Sequence, residues 1–192
     1  MEALKEAIRM YGRGLGRDIV KADSFLNHRV DTGLTAAMGE AFAVYFKPSR
    51  PEMILTVEAS GIALAVMTAH AMGDLPMVFA KKSATVIQGA DMAQAPVYSF
   101  THKTQNVIRV DRRYVEKGAR VLIIDDFLAD GQAVEGMIML CESLGAVVAG
   151  VGVAIEKGFM PGGRKLRERG VNLLSLAVVT SVKDGVLTLA GD

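Results

Sequence analysis

Two adjacent carboxylates, Asp125 and Asp126, follow a short aliphatic run of Val121, Leu122, Ile123 and Ile124. Such a run is the pattern of a strand buried on both faces, so the acids mark its carboxyl end. The small-residue turn of Ala129, Asp130 and Gly131 comes next and leads into a helical pattern beginning near Gln132 and Ala133. In an open parallel sheet, ligands bind beyond the carboxyl ends of the strands. A turn of this kind entering a helix offers free backbone N–H groups and the positive end of a helix dipole, which suits a phosphate. Acidic side chains beside such a cradle suit a ligand that also carries hydroxyls or develops positive charge. A ribose 5-phosphate has both.

Three further groups stand where chemistry is expected. Glu58, Ala59, Ser60 and Gly61 break a strand pattern at 53–57 and open a helical one at 62–72 that Gly73 ends. This turn reads either as a second anion cradle or as an ordinary cap. Lys81 and Lys82 end a short strand at 77–80, where paired lysines are either solvated or turned to the same ligand as the acids. Lys157 lies just past the end of a strand at 147–155. A lone His28 is assigned no chemistry. Gly12, Gly14 and Gly16 do not make a dinucleotide fingerprint, because no strand precedes them and their spacing is wrong. They read as a flexible connection.

The elements that must position these groups alternate. Residues 1–10 are amphipathic, with Leu4 and Ile8 at helical spacing, and Asp31 or Thr32 caps a helix running through Met38, Phe42 and Phe46 toward Pro48. Residues 83–95 have no sustained period and read as a mobile loop. Segments 96–101 and 106–110 alternate apolar and polar residues and read as a hairpin. After the acids, a helix through Val134, Met137, Leu140 and Cys141 is stopped by Gly145. A short basic helix at 164–169 precedes strands at 172–180 and 186–189, joined by Lys183, Asp184 and Gly185. At least four strands alternating with helices predict an α/β fold with a doubly wound, largely parallel sheet in one domain spanning 1–192.

Composition bounds the function. The chain has 192 residues, 51% of them hydrophobic and 22% charged, with a formal net charge of +1. That balance leaves no footprint for nucleic acid or an anionic membrane. Cys141 is the only cysteine, which excludes an intrachain disulfide and a thiolate metal cage. The charged N-terminal stretch (Glu2, Lys5, Glu6, Arg9) does not read as a signal peptide, and the uncharged run at 145–155 is far short of the ~18 apolar residues of a spanning helix. A cytoplasmic protein is expected.

The stretch at 121–133 resembles the phosphoribosyl-diphosphate signature of type I phosphoribosyltransferases. Along most of the chain, SFLNH at 24–28, EASGIA at 58–63, VFAKK at 78–82, VYSFT at 97–101 and IEKGF at 155–159 are similar to the xanthine phosphoribosyltransferases of bacterial purine salvage. The resemblance implies a type I phosphoribosyltransferase fold, with a small hood from about residues 1–35 and C-terminal strands as a further candidate contribution. It implies a homodimer that makes xanthosine 5′-monophosphate and pyrophosphate from xanthine and phosphoribosyl diphosphate. Asp125 and Asp126 would hold the ribose hydroxyls as catalytic residues, while Ala129, Asp130, Gly131, Gln132 and Ala133 would hold the phosphoribosyl group. Glu58, Ala59, Ser60 and Gly61 would form the pyrophosphate loop, assisted by Lys81 and Lys82. Val20, Asn27 and Lys157 would contact the base, and Phe127 is expected to lay its ring against the purine, with simple core packing as the alternative. Mg²⁺ is expected to enter through phosphoribosyl diphosphate rather than in a protein cage.

Two residues depart from the family pattern. Related enzymes often have Thr or Asn where this chain has Asp130, whose carboxylate is expected to point outward, leaving only its N–H on the phosphate. Ala129 stands where some hypoxanthine-guanine relatives carry an acid proposed as a general base; xanthine is itself acidic enough to arrive partly deprotonated. Two other functions remain open at this point. One is a hypoxanthine-guanine phosphoribosyltransferase, and the other is a phosphoribosyl-diphosphate-sensing regulator, which would need a nucleic-acid-binding module or a basic face.

Overall fold

The aliphatic run lies near the middle of a six-stranded sheet. The computed structural model describes residues 1–83, 91–99 and 104–192. In chain order the helices are α1 (Glu2–Tyr11), α2 (Thr32–Phe46), α3 (Ile62–Ala71), α4 (Gln132–Leu144) and α5 (Gly162–Glu168). The strands are β1 (Arg13–Leu15), β2 (Ile19–Lys21), β3 (Met53–Val57), β4 (Met77–Ala80), β5 (Met92–Ser99), β6 (Thr104–Asp111), β7 (Arg120–Leu128), β8 (Val147–Lys157), β9 (Leu173–Lys183) and β10 (Val186–Leu189). The large sheet has the order β10-β9-β8-β7-β3-β4, and only the β10–β9 pairing is antiparallel. Crossover helices therefore cover both faces, as parallel strands require.

Successive residues of β7 feed two cores. Leu122 and Ile124 pack with Phe42, Phe46 and Leu64 from α2 and α3, while Val121 and Ile123 pack with Met137, Leu140 and Cys141 of α4. Cys141 is buried, as its place in the helical pattern predicts, and burial pushes its thiol up to about 12. Asp31 caps α2, its Oδ1 accepting from the Leu34 N–H at 3.0 Å. No helix among the described residues is long and apolar enough to cross a membrane.

Three expectations change. The stretch at 12–16 is no flexible connection, because β1 and β2 form an antiparallel hairpin whose Gly14 N–H donates to the Gly185 carbonyl at 3.0 Å. Pairing with a distant turn supplies order that local sequence does not. Residues 92–95 are strand, with Ala93 and Ala95 buried, rather than part of a mobile loop; residues 84–90 of that stretch lie outside the described residues. The hairpin itself is present as β5 paired with β6, while residues 100–103 of the expected strand and turn lie outside the described residues. Finally, β7 does not end at the acids but continues through Phe127 and Leu128, which pair with Ile155 and Glu156 of β8.

Candidate active site

A cleft of about 760 Å³ opens beyond the carboxyl ends of β7 and β8. Asp125 and Asp126 lie at its floor, only 4% and 5% exposed. Neighbouring strand residues ordinarily face opposite ways, but this cleft sits over the end of the sheet and both acids line it. The Asp126 N–H donates to Asp125 Oδ1 at 3.0 Å. Two neutral donors reach the Asp126 carboxylate, Asn27 Nδ2 at 2.8 Å and Ser60 Oγ at 2.9 Å. Burial, and then the adjacent Asp126 charge, hold Asp125 well above the usual carboxylate range. A cation or a sugar becoming positive in the cleft would favour its charged form.

The turn after β7 is built for close approach. Gly131 adopts φ +91°, a left-handed conformation that favours glycine, and α4 starts directly after it. Ala129, Asp130, Gln132 and Ala133 line the cleft. The Asp130 side chain does not turn outward as expected. Its Oδ1 accepts from the Gln132 N–H at 3.1 Å, capping one of the free donors at the helix start. The carboxylate lies within reach of that donor and also gains from the dipole's positive end.

The loop after β3 lies against the acids. A Cβ on Gly61 would come 2.2 Å from Thr56 Oγ1 and 3.1 Å from Asp125 Oδ1, so only glycine lets the loop approach. The Glu58–Ala59 peptide is cis. Glu58 Oε1 accepts from the Lys82 N–H at 2.6 Å, joining this loop to the end of β4. Ser60 and Lys82 line the cleft. The Lys81 ammonium instead lies 5.9 Å from the centre of the Phe79 ring, and its backbone pairs with Arg109 of β6.

On the base side, Lys157 Nζ donates to the Asp18 carbonyl at 2.8 Å, which leaves ammonium protons for a ligand. Burial pulls the Lys157 ammonium below the ordinary lysine range, opposed by the charges of Asp18 and Asp130. Val20 does not reach the cleft. Its side chain is 7% exposed and packs in the first core, while Asp18 and Ile19 line the cleft in its place. The alternation of β2 explains this, since Val20 is the inward residue of three. Phe127 is half-buried against the same core rather than among the cleft-lining side chains. Val57 and Val97, the latter in the VYSFT string, also line the cleft, together with Asp18, Ile19, Asn106, Ile108 and Met160, which no local motif marks.

The site thus unites an acidic pair, a helix-capping turn, a close-packed second loop and a half-buried lysine. The phosphoribosyl transferase domain family matches residues 32–169. A xanthine phosphoribosyltransferase of Limosilactobacillus fermentum is 48% identical over 185 residues, covering 96% of this chain and 94% of that protein. The enzyme of the same name from Bacillus cytotoxicus is 45% identical over 188 residues, covering 98% and 95%. Among solved structures, adenine phosphoribosyltransferase from Rhodothermus marinus aligns with a TM-score of 0.75 at 22% identity, covering 93% of this chain and all (100%) of that one. The Trypanosoma brucei adenine enzyme in complex with AMP, pyrophosphate and ribose-5-phosphate gives 0.77 at 18%, covering 94% and 81%. At those identities the structural likeness speaks for the fold alone, which is the type I phosphoribosyltransferase fold. Sequence match, fold and cleft agree, and the chain belongs to the phosphoribosyl transferase family.

Proposed function

We propose that the protein is a xanthine phosphoribosyltransferase of purine salvage. It transfers the phosphoribosyl group of phosphoribosyl diphosphate to xanthine, giving xanthosine 5′-monophosphate and pyrophosphate. One observation carries the reading: Asp125, Asp126, the turn that opens α4 and Lys157 all line one cleft. That the sequence relatives are xanthine phosphoribosyltransferases supports xanthine as the base.

In this reading the turn at 129–133 binds the 5-phosphate through backbone N–H groups at the start of α4. Asp125 and Asp126 accept from the ribose hydroxyls. As the bond from C1 of the ribose to pyrophosphate breaks, the sugar becomes oxocarbenium-like, and the two acids supply negative potential where that positive charge develops. The loop at 58–61, with Lys82 beside it, receives the departing pyrophosphate. Lys157 donates to an oxygen of the purine; an adenine amine offered there would leave a half-buried ammonium facing another donor. With Ala at position 129 no side chain takes the base proton, and xanthine's own acidity makes one unnecessary. The carboxylate oxygens beside the cleft suit a hard cation bound through the substrate; Asp125 and Asp126 are the side chains at hand for it, and Mg²⁺ there supplies neutralisation of the diphosphate charge. The reading also includes a single domain with residues 1–35 in the hood, a homodimer and a cytoplasmic location.

The test is turnover of xanthine with phosphoribosyl diphosphate, followed by release of pyrophosphate. Asp125→Asn and Asp126→Asn should each lower kcat on the order of 10²-fold, the usual effect of removing a preorganised electrostatic contact. Near-unaltered turnover in both variants would remove the acids from the mechanism.

A further inference from the structure

The carboxylate of Asp126 is held from two distant parts of the chain. Asn27 belongs to the π-helical turn Asp23–Asn27 that precedes α2, and Ser60 belongs to the loop after β3. Asn27 Nδ2 donates to Asp126 Oδ2 at 2.8 Å, and Ser60 Oγ donates to Asp126 Oδ1 at 2.9 Å. Asp126 is 5% exposed. Among the described residues no salt bridge to it is present, so these neutral donors stabilise its charge where burial opposes it. A carboxylate has about four lone-pair positions. One donor on each oxygen fixes its plane and leaves a second position on each oxygen, a pairing suited to the two neighbouring hydroxyls of a ribose.

We propose that Asn27 is a positioning residue for Asp126, setting the carboxylate plane that receives the ribose before any base arrives. The inference rests on the phosphoribosyltransferase reading of the cleft. It gives Asn27 a second duty besides the contact with the base that the family resemblance implies. The donation also fixes the amide's orientation. A carboxylate only accepts, so a flipped amide would set Oδ1 against Asp126, two acceptors facing each other. Asn27 therefore presents one invariant face, and base recognition and ribose recognition share a single side chain. The hood, the pyrophosphate loop and the ribose acid meet at Asp126.

The discriminating measurement is calorimetric binding of phosphoribosyl diphosphate, with Mg²⁺ present and the base left out. A side chain that only reads the base does not alter this binding. Asn27→Ala should weaken it about tenfold, the reach of one hydrogen bond to a charged group. Asn27→Asp, which keeps the size but sets a second carboxylate against Asp126, should weaken it further. Asn27 is itself solvent-exposed, so both variants should keep the fold, with an unfolding temperature lowered only by what the Asp126 carboxylate loses with its donor. Combining Asn27→Ala with Ser60→Ala should give a loss that differs from the sum of the single losses, as expected for two donors orienting one acceptor. Unchanged base-free binding in both Asn27 variants, with only the KM for xanthine raised, would overturn the inference and leave the enzyme assignment intact. Failure of the unsubstituted protein to bind phosphoribosyl diphosphate would overturn the functional reading, and this inference with it.

Discussion

Arg167 grips Glu156 through both terminal nitrogens, at 2.8 Å to Oε1 and 2.6 Å to Oε2, and thereby ties α5 to the end of β8. Ser175 donates to the same carboxylate, which is 4% exposed. The consequence reaches the phosphate turn. Gly162, at the start of α5, donates its N–H to the Ala129 carbonyl at 3.0 Å, and a Cβ on Gly162 would lie 2.6 Å from the Gly131 nitrogen. Gly163 has no room either, since a Cβ there would lie 2.0 Å from Glu156 Oε1. The ion pair thus backs the turn from behind.

Burial alone would raise the Glu156 carboxyl, but Arg167 and Ser175 outweigh it and hold the group below its ordinary value of 4.5. A carboxyl depressed in the folded state adds stability above its unfolded value, and that contribution is lost as pH falls through the folded value. Glu156→Gln should therefore lower stability by about 1–3 kcal/mol at neutral pH, with a raised KM for phosphoribosyl diphosphate. In thermal unfolding the gap between variant and wild type should narrow as pH drops below 4.5. A gap that stays constant down to strongly acid pH would show that the Glu156 charge contributes nothing.

Asp130 occupies a donor that a phosphate would use. Asp130→Asn should tighten phosphoribosyl-diphosphate binding roughly two- to fivefold, the scale of about 0.3–1 kcal/mol for a charge at a helix start. It should also remove a charge that supports the Lys157 ammonium. The Lys157 pKa then falls further, and the alkaline decline in kcat/KM for xanthine moves to lower pH. Comparing the variant with wild type cancels the titration of xanthine itself. Loss of binding, or an unmoved alkaline limb, would contradict this.

The ring of Phe127 packs against the first core. Phe127→Leu should lower the unfolding temperature, with a loss of about 1 kcal/mol, and leave the KM for xanthine unchanged. A raised KM with unchanged unfolding would instead return the ring to the purine.

Much of this was legible locally. Strands at 53–57 and 77–80 stand where their apolar runs place them, and Asp31 and Gly145 end helices as their types predict. The acidic pair and the turn after it announce themselves because strand, acids, glycine and helix are contiguous. Whatever depends on distant pairing was not legible. The hairpin of β1 and β2 leans on Gly185, so the Gly-rich stretch gave no sign of order, and its alternation, which turns Val20 inward and Ile19 outward, could not be applied. Likewise β7 runs past its acids because β8 continues alongside, a fact the polarity of Asp125 and Asp126 hides. Asp130 shows its charge in the sequence, but whether it turns outward or caps Gln132 is decided by an unpaired N–H visible only in three dimensions.

The central claim is the choice of base, and a panel of xanthine, guanine, hypoxanthine and adenine with phosphoribosyl diphosphate tests it most directly. The account predicts the highest kcat/KM for xanthine, lower but measurable values for guanine and hypoxanthine, and the poorest for adenine. In Lys157→Ala the three oxopurines should fall together, because that ammonium serves an oxygen they share. Guanine, hypoxanthine or adenine as the best substrate, or no nucleotide formed from any of the four, would contradict the account.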